Sequence, residues 1–346
     1  MSTLQGAIVG FGRMGMTHYA ILNTHPDVKI AAVCDSSDIM LKNLKRFTGV
    51  QVFTDLHKML DQVKLDFVVV ATPTSSHAEI GMQAAEKGIH VFMEKPFTLT
   101  CDEGKQLVEA ARKRGITNQV GYFLRFCPIF GAARKAVADG VIGEVKNYRN
   151  DMFGRTVLKA SKSSWRAAKK TGGGCMLDFG SHSLDLADQI FGPVEQVSGS
   201  QFQSVYSSEV EDVFLSTLRH QGGVVGVVHI NWSDDSYRRP YNRLEVFGTR
   251  GRIVADRQEI RVYLREAAPQ WGYVQGWNIK YLPELEKSVR FSVRGSDYTE
   301  QLDDFISCIQ SGRQTRCTFA DALRTDKVIE GIRTNAAADK EKTWIV

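Results

Sequence analysis

Gly6-Ala7-Ile8-Val9-Gly10-Phe11-Gly12-Arg13-Met14-Gly15 sets the reading of the whole chain. A short apolar run suited to a buried strand passes straight into a glycine-spaced turn. An amphipathic stretch from about Met14 to Asn23 then follows. A G-x-G-x-x-G spacing alone is weak, but between a strand and a helix each glycine acquires a task. Gly10 makes the tight turn, Gly12 lets the backbone approach a diphosphate, and Gly15 allows the helix to pack close to the strand. The unpaired N–H groups and the dipole at the helix start favour an anion. With Phe11, Arg13 and Met14 between the glycines, this loop is the candidate nucleotide site.

The alternation continues. Strands are expected at Lys29–Cys34, Val50–Phe53, Phe67–Ala71, Ile89–Met93 and Thr117–Gly121, with helices at Met40–Phe47, Leu56–Gln62, His77–Lys87 and Cys101–Arg114. Near-continuous apolar strands separated by helices indicate a parallel sheet buried on both faces, an α/β Rossmann domain spanning residues 1–122. Asp35 closes the second strand about 20 residues past the last glycine, where a carboxylate is expected to take the ribose hydroxyls. It would repel a 2′-phosphate, and Ser36 and Ser37 supply no arginine to welcome one, so NAD is favoured over NADP. A helix N-cap role for Asp35 is compatible with this. Thr72-Pro73 and His77 lie at the same carboxyl edge and could line the nicotinamide side. Ser75 and Ser76 as helix caps explain that stretch equally well.

Glu94-Lys95-Pro96 ends the strand I-H-V-F-M, because Pro96 fixes φ and cannot donate the next ladder bond. A lysine just past the carboxyl end of a parallel strand points into the crevice where such sheets bind ligands. A cis Lys95–Pro96 bond would aim the ammonium inward. The plain alternative is a surface lysine before a turn. Glu94 and Lys95 complete the expected nucleotide-side set.

Composition bounds the rest. The 346 residues suffice for two domains, and 43% apolar with 24% charged residues is ordinary for a globular protein. A net charge of +5, spread along the chain, allows anionic ligands but makes no nucleic-acid face. The six cysteines show no paired spacing and read as reduced thiols. No apolar stretch is long enough to span a membrane, and only Met1 to Gln5 precede the first apolar run, leaving no room for a signal peptide. A cytoplasmic protein is expected.

After Tyr122 the texture changes. Arg125–Asp139 reads as one amphipathic helix. Strands follow at Val145–Phe153, Val194–Phe202, Val213–Leu218, Val224–Trp232, Arg243–Phe247, Arg252–Ala255 and Ile260–Leu264, with hairpin signals at Gly222-Gly223 and Thr249-Arg250-Gly251. Helices near Tyr298–Ser311 and Ala320–Asn335 close the chain, and Trp271–Leu282 has no clear assignment. Residues 123–346 therefore form a C-terminal α+β domain on a large, mostly antiparallel open sheet, one face covered by helices and the other by a second subunit. Between strands, Gly172-Gly173-Gly174 precedes a helix from about Cys175 to Phe191. On it Asp178, His182 and Asp185 share one stripe. Titratable groups on a largely apolar helix are costly to bury unless paired or functional. A structural histidine and a functional one both fit; a metal site lacks a second His or Cys at ligand spacing. Upstream, Lys159, Lys162, Trp165, Arg166, Lys169 and Lys170 form a basic approach, either a solvated loop or a contact for a substrate phosphate or carboxylate. Tyr122 and Arg125 would contribute substrate contacts from the domain junction.

The chain resembles the Gfo/Idh/MocA oxidoreductases (glucose–fructose oxidoreductase, inositol dehydrogenase) along essentially its full length. The resemblance rests on G-F-G-R-M-G at 10–15, E-K-P at 94–96, G-Y-F-L-R-F at 121–126, G-G-G-C-M-L-D-F-G-S-H-S-L-D at 172–185 and Y-T-E-Q-L-D-D-F-I at 298–306. It implies that Lys95, Asp178 and His182 serve catalysis, that NAD(P) is the cofactor, and that a secondary alcohol or ketone of a sugar, cyclitol, sugar phosphate or nucleotide sugar is the substrate. It also implies a homodimer or homotetramer. Phe123 departs from the family pattern, where several members have Asn. His182 suits a general base for the alcohol proton, Lys95 a donor to the same oxygen, and Asp178 an orienting charge. A catalytically silent NAD-sensing protein of the same fold is the alternative.

Overall fold

The computed structural model describes residues 3–160, 165–286, 291, 293 and 295–339, which fall into two compact units. The first holds the chain to Phe123 and, later, helix Ser296–Ser311 with the residues after it to Leu323. In it β1 (Leu4–Val9), β2 (Val28–Cys34), β3 (Gln51–Phe53), β4 (Phe67–Val70), β5 (His90–Met93) and β6 (Asn118–Val120) form a six-stranded sheet. Its order is β3-β2-β1-β4-β5-β6 and every pairing is parallel. This is the doubly wound order, in which ligands gather outside the carboxyl ends of the strands. Phe67 to Val70 are fully buried, as a strand covered on both faces must be.

Each face has its own core. On one, Ala7, Val68, Val91 and Met93 meet Ile80, Ala84, Leu107 and Ala111 from the crossover helices. On the other, Ile8, Phe67, Val69 and Phe92 meet Ile21 and Leu22, and also Leu302, Phe305 and Ile306 of helix Ser296–Ser311. The Phe305 ring stands edge-on to Phe67 and to Phe92, 5.8 Å from each. Removing such a ring costs about 3–5 kcal/mol. This apolar stripe places the helix with the first unit, whereas the expected division kept it within 123–346. The edge strand β6 is also closed by later chain: Val120 N–H donates to the Cys317 carbonyl at 2.9 Å, and the Thr315 hydroxyl to Asn118 O at 2.6 Å.

The second unit runs from Leu124 through a second sheet and resumes at Arg324. Its strands are β7 (Val145–Phe153), β8 (Val194–Gln203), β9 (Val213–His220), β10 (Val225–Asn231), β11 (Tyr241–Gly248), β12 (Gly251–Ala255), β13 (Glu259–Leu264) and β14 (Gly276–Tyr281). They lie in the order β14-β13-β12-β11-β7-β10-β9-β8. All pairings are antiparallel but one: β10 runs parallel to β7. The long excursion after β7 re-enters at the far edge as β8. Two hairpins then walk back until β10 meets β7 in the same direction. β14 occupies the stretch Trp271–Leu282 that had no assignment. Its larger apolar side chains Trp277, Ile279 and Tyr281 are exposed, which inverts the usual signature of a half-buried strand. Leu244, Val246, Val228, Ile230, Ile253 and Val262 point to the buried face.

Two helices begin later than expected. Pro128 takes the first helical turn of Pro128–Ala138, leaving Arg125 in a separate turn at Phe123–Phe126. Helix Ser181–Phe191 is preceded by a π turn, Met176–Gly180. No helix among the described residues is long and apolar enough to cross a membrane.

Three histidines are shielded from water, His220 buried and His90 and His229 half-buried. His220 donates from Nδ1 to Gly192 O at 2.6 Å and accepts the Tyr148 hydroxyl at Nε2 (2.8 Å), while His90 Nδ1 accepts the Thr117 N–H at 2.8 Å. Burial pushes the basicity of His90, His220 and His229 down. The unfolded chain takes up protons near the ordinary imidazole value of about 6.5, which the folded chain resists, so stability must fall as pH drops through that value. A thermal midpoint that declines from pH 7 to pH 5 is expected; one that rises over that interval would contradict this account.

Candidate active site

The three glycines of the first loop differ in why they are glycine. Gly10 has φ +89°, and a Cβ there would lie 2.7 Å from the Ala71 carbonyl. At Gly15 a Cβ would fall 1.9 Å from Gly10 O, so the helix and the turn are in backbone contact. At Gly12 a Cβ would meet nothing within 4 Å. The fold itself therefore does not demand glycine at position 12, and the open space is what an approaching diphosphate needs. Helix Arg13–Leu22 starts directly after Gly12 with no side chain capping it, and Arg13 is exposed. Its first N–H groups fit an anion.

Asp35 stands beside this loop. Its Oδ2 accepts the Phe11 N–H at 2.6 Å and its Oδ1 the Ser37 N–H at 2.8 Å. The carboxylate is thus oriented by backbone, and each oxygen retains a second lone pair for a hydroxyl donor. It does not cap helix Asp38–Thr48, whose N-cap is Ser37. Ser36 is exposed and Met14 half-buried. Phe11 turns inward instead, its ring packed edge-on to Tyr19 at 5.6 Å. Its side chain belongs to the core and not to a ligand surface.

After β4, Pro73 is exposed and Thr72 half-buried. Ser76 does not cap the helix that follows; its hydroxyl donates to Pro73 O at 2.9 Å and lies 2.8 Å from the Thr72 hydroxyl. His77, expected to face the nicotinamide, is wholly buried. Its Nε2 lies 3.0 Å from Thr72 O, and its Nδ1 lies 3.0 Å from Pro96 O and 3.2 Å from Phe97 O. Burial lowers the basicity of this ring, and a neutral imidazole carries one N–H, so one nitrogen donates to a carbonyl while the other is packed against carbonyl oxygen; no ligand contact is left to it.

Glu94 is buried as well, and His18 Nε2 donates to its Oε1 at 2.6 Å. Burial opposes the negative charge, but the His18 hydrogen bond and the charges of His18 and Lys95 outweigh it and hold the carboxyl below its ordinary range. Glu94 Oε2 accepts the Lys95 N–H at 3.2 Å. Lys95 is half-buried, and the Lys95–Pro96 bond is cis. Tyr122, expected to touch substrate, is fully buried in the core of the first unit.

In the second unit, the triple glycine closes onto the carbonyl of Arg166. Gly174 N–H donates to it at 3.0 Å, and a Cβ on Gly173 would lie 2.2 Å from it. Gly174, at φ +108°, also abuts the half-buried Glu211, whose Oε1 accepts the Met176 N–H at 2.9 Å at the start of the π turn. Such turns are frequent at functional sites. Asp178 lies within this one, and His182 one turn later; they are 8% and 4% exposed.

The carboxylates of this helix region are paired with arginines, one of them 12 residues upstream and two from distant chain. Arg166 Nε donates to Asp178 Oδ2 at 2.9 Å. Arg125 grips Asp185 through Nε (2.8 Å to Oδ2) and Nη2 (2.7 Å to Oδ1), both side chains almost wholly buried. Arg324 grips Asp188 at 3.0 and 2.8 Å. A buried pair adds little net stability, but removing one partner costs about 3–5 kcal/mol. Arg125 and Arg166, both expected to meet substrate, are thereby committed to protein carboxylates. Lys159, Lys169 and Lys170 are exposed, whereas Lys162 and the Trp165 side chain lie outside the described residues. The sequence reading missed His18 and Arg324. His18 was legible as the one imidazole on the glycine-loop helix; Arg324 left no local signal.

These spacings separate two substitutions. Gly12→Ala should keep the thermal midpoint close to wild type while weakening NADH binding by about tenfold or more, since its methyl enters the open space. Gly15→Ala should lower both. Fluorescence titration of NADH alongside thermal melts decides this; unchanged affinity in Gly12→Ala would count against a diphosphate at this loop.

The model of an oxidoreductase family with an NAD-binding Rossmann fold matches residues 4–122, and that of a GFO/IDH/MocA C-terminal domain matches residues 130–254. An uncharacterized oxidoreductase of Schizosaccharomyces pombe is 30% identical, the alignment covering 95% of this chain and 96% of that one. The scyllo-inositol 2-dehydrogenase (NAD(+)) of Bacillus subtilis is 28% identical, covering 91% and 89%. Among solved structures, a levoglucosan dehydrogenase in complex with NADH and L-sorbose superposes with a TM-score of 0.89 over 98% of each chain at 23% identity, a likeness of fold. With one family model over residues 4–122, its companion over residues 130–254 and a relative 30% identical over nearly the whole length, the chain belongs to the GFO/IDH/MocA oxidoreductases.

Proposed function

We propose that this protein transfers hydride between NAD and a secondary alcohol or ketone of a sugar or cyclitol. The observation that carries the reading is the setting of Lys95. It stands two residues past β5, at the same carboxyl edge as the glycine loop, with its backbone N–H tied to a buried, charged Glu94. The inositol dehydrogenase relative supports the substrate class.

The glycine loop, the first turn of helix Arg13–Leu22 and Asp35 are the residues that would hold NAD. When bound, its nicotinamide supplies the hydride acceptor or donor. The chain itself must manage a proton and a developing charge. His182 takes the hydroxyl proton in oxidation and returns it in reduction, as an imidazole does best near neutral pH. Lys95 is a donor suited to a carbinol oxygen, where it stabilises alkoxide character. Asp178, fixed by Arg166, keeps a directed negative charge on the helix that carries His182. The intact set of Lys95, Asp178 and His182 favours catalysis over a purely NAD-sensing role.

Commitment of Arg125 and Arg166 to carboxylates reduces the support for an anionic substrate, which now rests on Lys159, Lys169 and Lys170. We also assign the outer face of the second sheet to a subunit interface. Val227, Tyr263, Trp277, Ile279 and Tyr281 expose apolar surface there on one face. The reducing compartment inferred from the cysteines agrees with a cytoplasmic enzyme.

Lys95→Ala should bind NADH with near wild-type affinity yet lose turnover by about two orders of magnitude or more. Wild-type turnover in that variant, with any polyol that the native protein oxidises, removes the proposed role.

A further inference from the structure

Two wholly buried imidazoles, His18 and His77, take no part in the chemistry above. Both end on the E-K-P loop. The last ladder bond between β4 and β5 territory is Glu94 N–H to Val70 O at 2.8 Å. Beyond that rung the two chains separate, and His77 spans the gap. It lies 3.0 Å from Thr72 O on one side and 3.0 Å from Pro96 O on the other. From the opposite flank, His18 reaches out of helix Arg13–Leu22 to Glu94 at 2.6 Å, and Glu94 in turn holds the Lys95 N–H. His18 is further fixed by an edge-on contact with Phe92 at 5.2 Å.

We propose that His18 and His77 are positioning residues for Lys95, clamping its loop from the glycine-loop helix on one side and from the β4 loop on the other. A flexible lysine stem contributes to catalysis only if its backbone origin is fixed, since small misplacements of a reacting group are expensive. The His18–Glu94 link has a second consequence. It joins the helix expected to receive the diphosphate to the loop bearing the ammonium, so order in one is transmitted to the other through a single buried hydrogen bond. Neither histidine is reachable by a ligand, which separates this role from direct catalysis.

The inference rests on Lys95 acting in catalysis, and the test separates the two claims. His18→Leu and His77→Leu remove the hydrogen bonds, whereas His18→Gln and His77→Gln keep an N–H donor. Each Leu variant should lose turnover by about tenfold to a hundredfold with NADH affinity changed less than about threefold, and each Gln variant should stay within about threefold of wild type. On a Lys95→Ala background the Leu substitutions should cause no further loss, because their effect passes through the missing amine. A loss that persists in full on that background overturns the clamp. If Lys95→Ala itself turns over normally, the function reading fails first. An activity-independent readout is the carbon-13 resonance of reductively methylated Lys95, assigned by its disappearance in Lys95→Ala. It should shift or broaden in the Leu variants and stay in place in the Gln variants; an unchanged line in all four overturns the proposal. Should a Leu variant not fold, His18→Asn, too short to reach Glu94, or His77→Ala, which lacks any donor, replaces it with the same expectations.

Discussion

A parallel sheet delivers every strand end to one edge, and that constraint organises the first unit. Val9, Cys34, Val70, Met93 and Val120 are the last residues of five adjacent strands. Within two residues of those ends come Gly10, Asp35, Thr72, Lys95 and Tyr122. Backbone bonds extend the ladder one rung further, from Gly10 to Cys34, Ala71 to Val9, Glu94 to Val70 and Gly121 to Met93. The loops therefore leave the sheet from fixed origins. What each then contributes depends on how its first side chain is tied down.

Burial of charge is the second recurring problem, solved differently in the two units. In the first, Glu94 keeps its charge inside the protein by pairing with His18 and accepting the backbone of Lys95. In the second, Asp178, Asp185 and Asp188 lie along a largely apolar helical stretch, and arginines at positions 166, 125 and 324 come from separate parts of the chain to meet them. Removing one partner of such a pair would leave a charge unpaired inside the protein. The pairs fix the rotation of the stretch bearing His182, and they consume the guanidinium groups that a sequence reader would assign to substrate.

Much of this was legible beforehand. Apolar runs bounded by glycine and proline located every strand of both sheets except β14 to within a few residues, because buried strands must be apolar and loops must turn. The failures have physical causes. β14 carries a legible period of two, Trp277, Ile279 and Tyr281 alternating with Asn278 and Lys280; what that period does not encode is that its apolar side faces outward. The parallel β7–β10 pair follows from a long-range re-entry that no local signal encodes. Arg125 was drawn into a helix that Pro128 in fact begins. Partners such as Arg125–Asp185 lie 60 residues apart, beyond what spacing reveals. His77 was misjudged as a ligand contact because its position beside the strand edge was readable but its depth was not. The glycine loop succeeded for the opposite reason: each of its constraints is local.

The most direct test of the account is NADH formation, followed by its near-ultraviolet absorbance, when the purified protein and NAD are given a panel of inositols and neutral sugars. Substrate-dependent NADH production from at least one secondary alcohol is the predicted result. A protein that binds NADH tightly, yet neither oxidises any of these alcohols nor reduces the corresponding ketones, would contradict it.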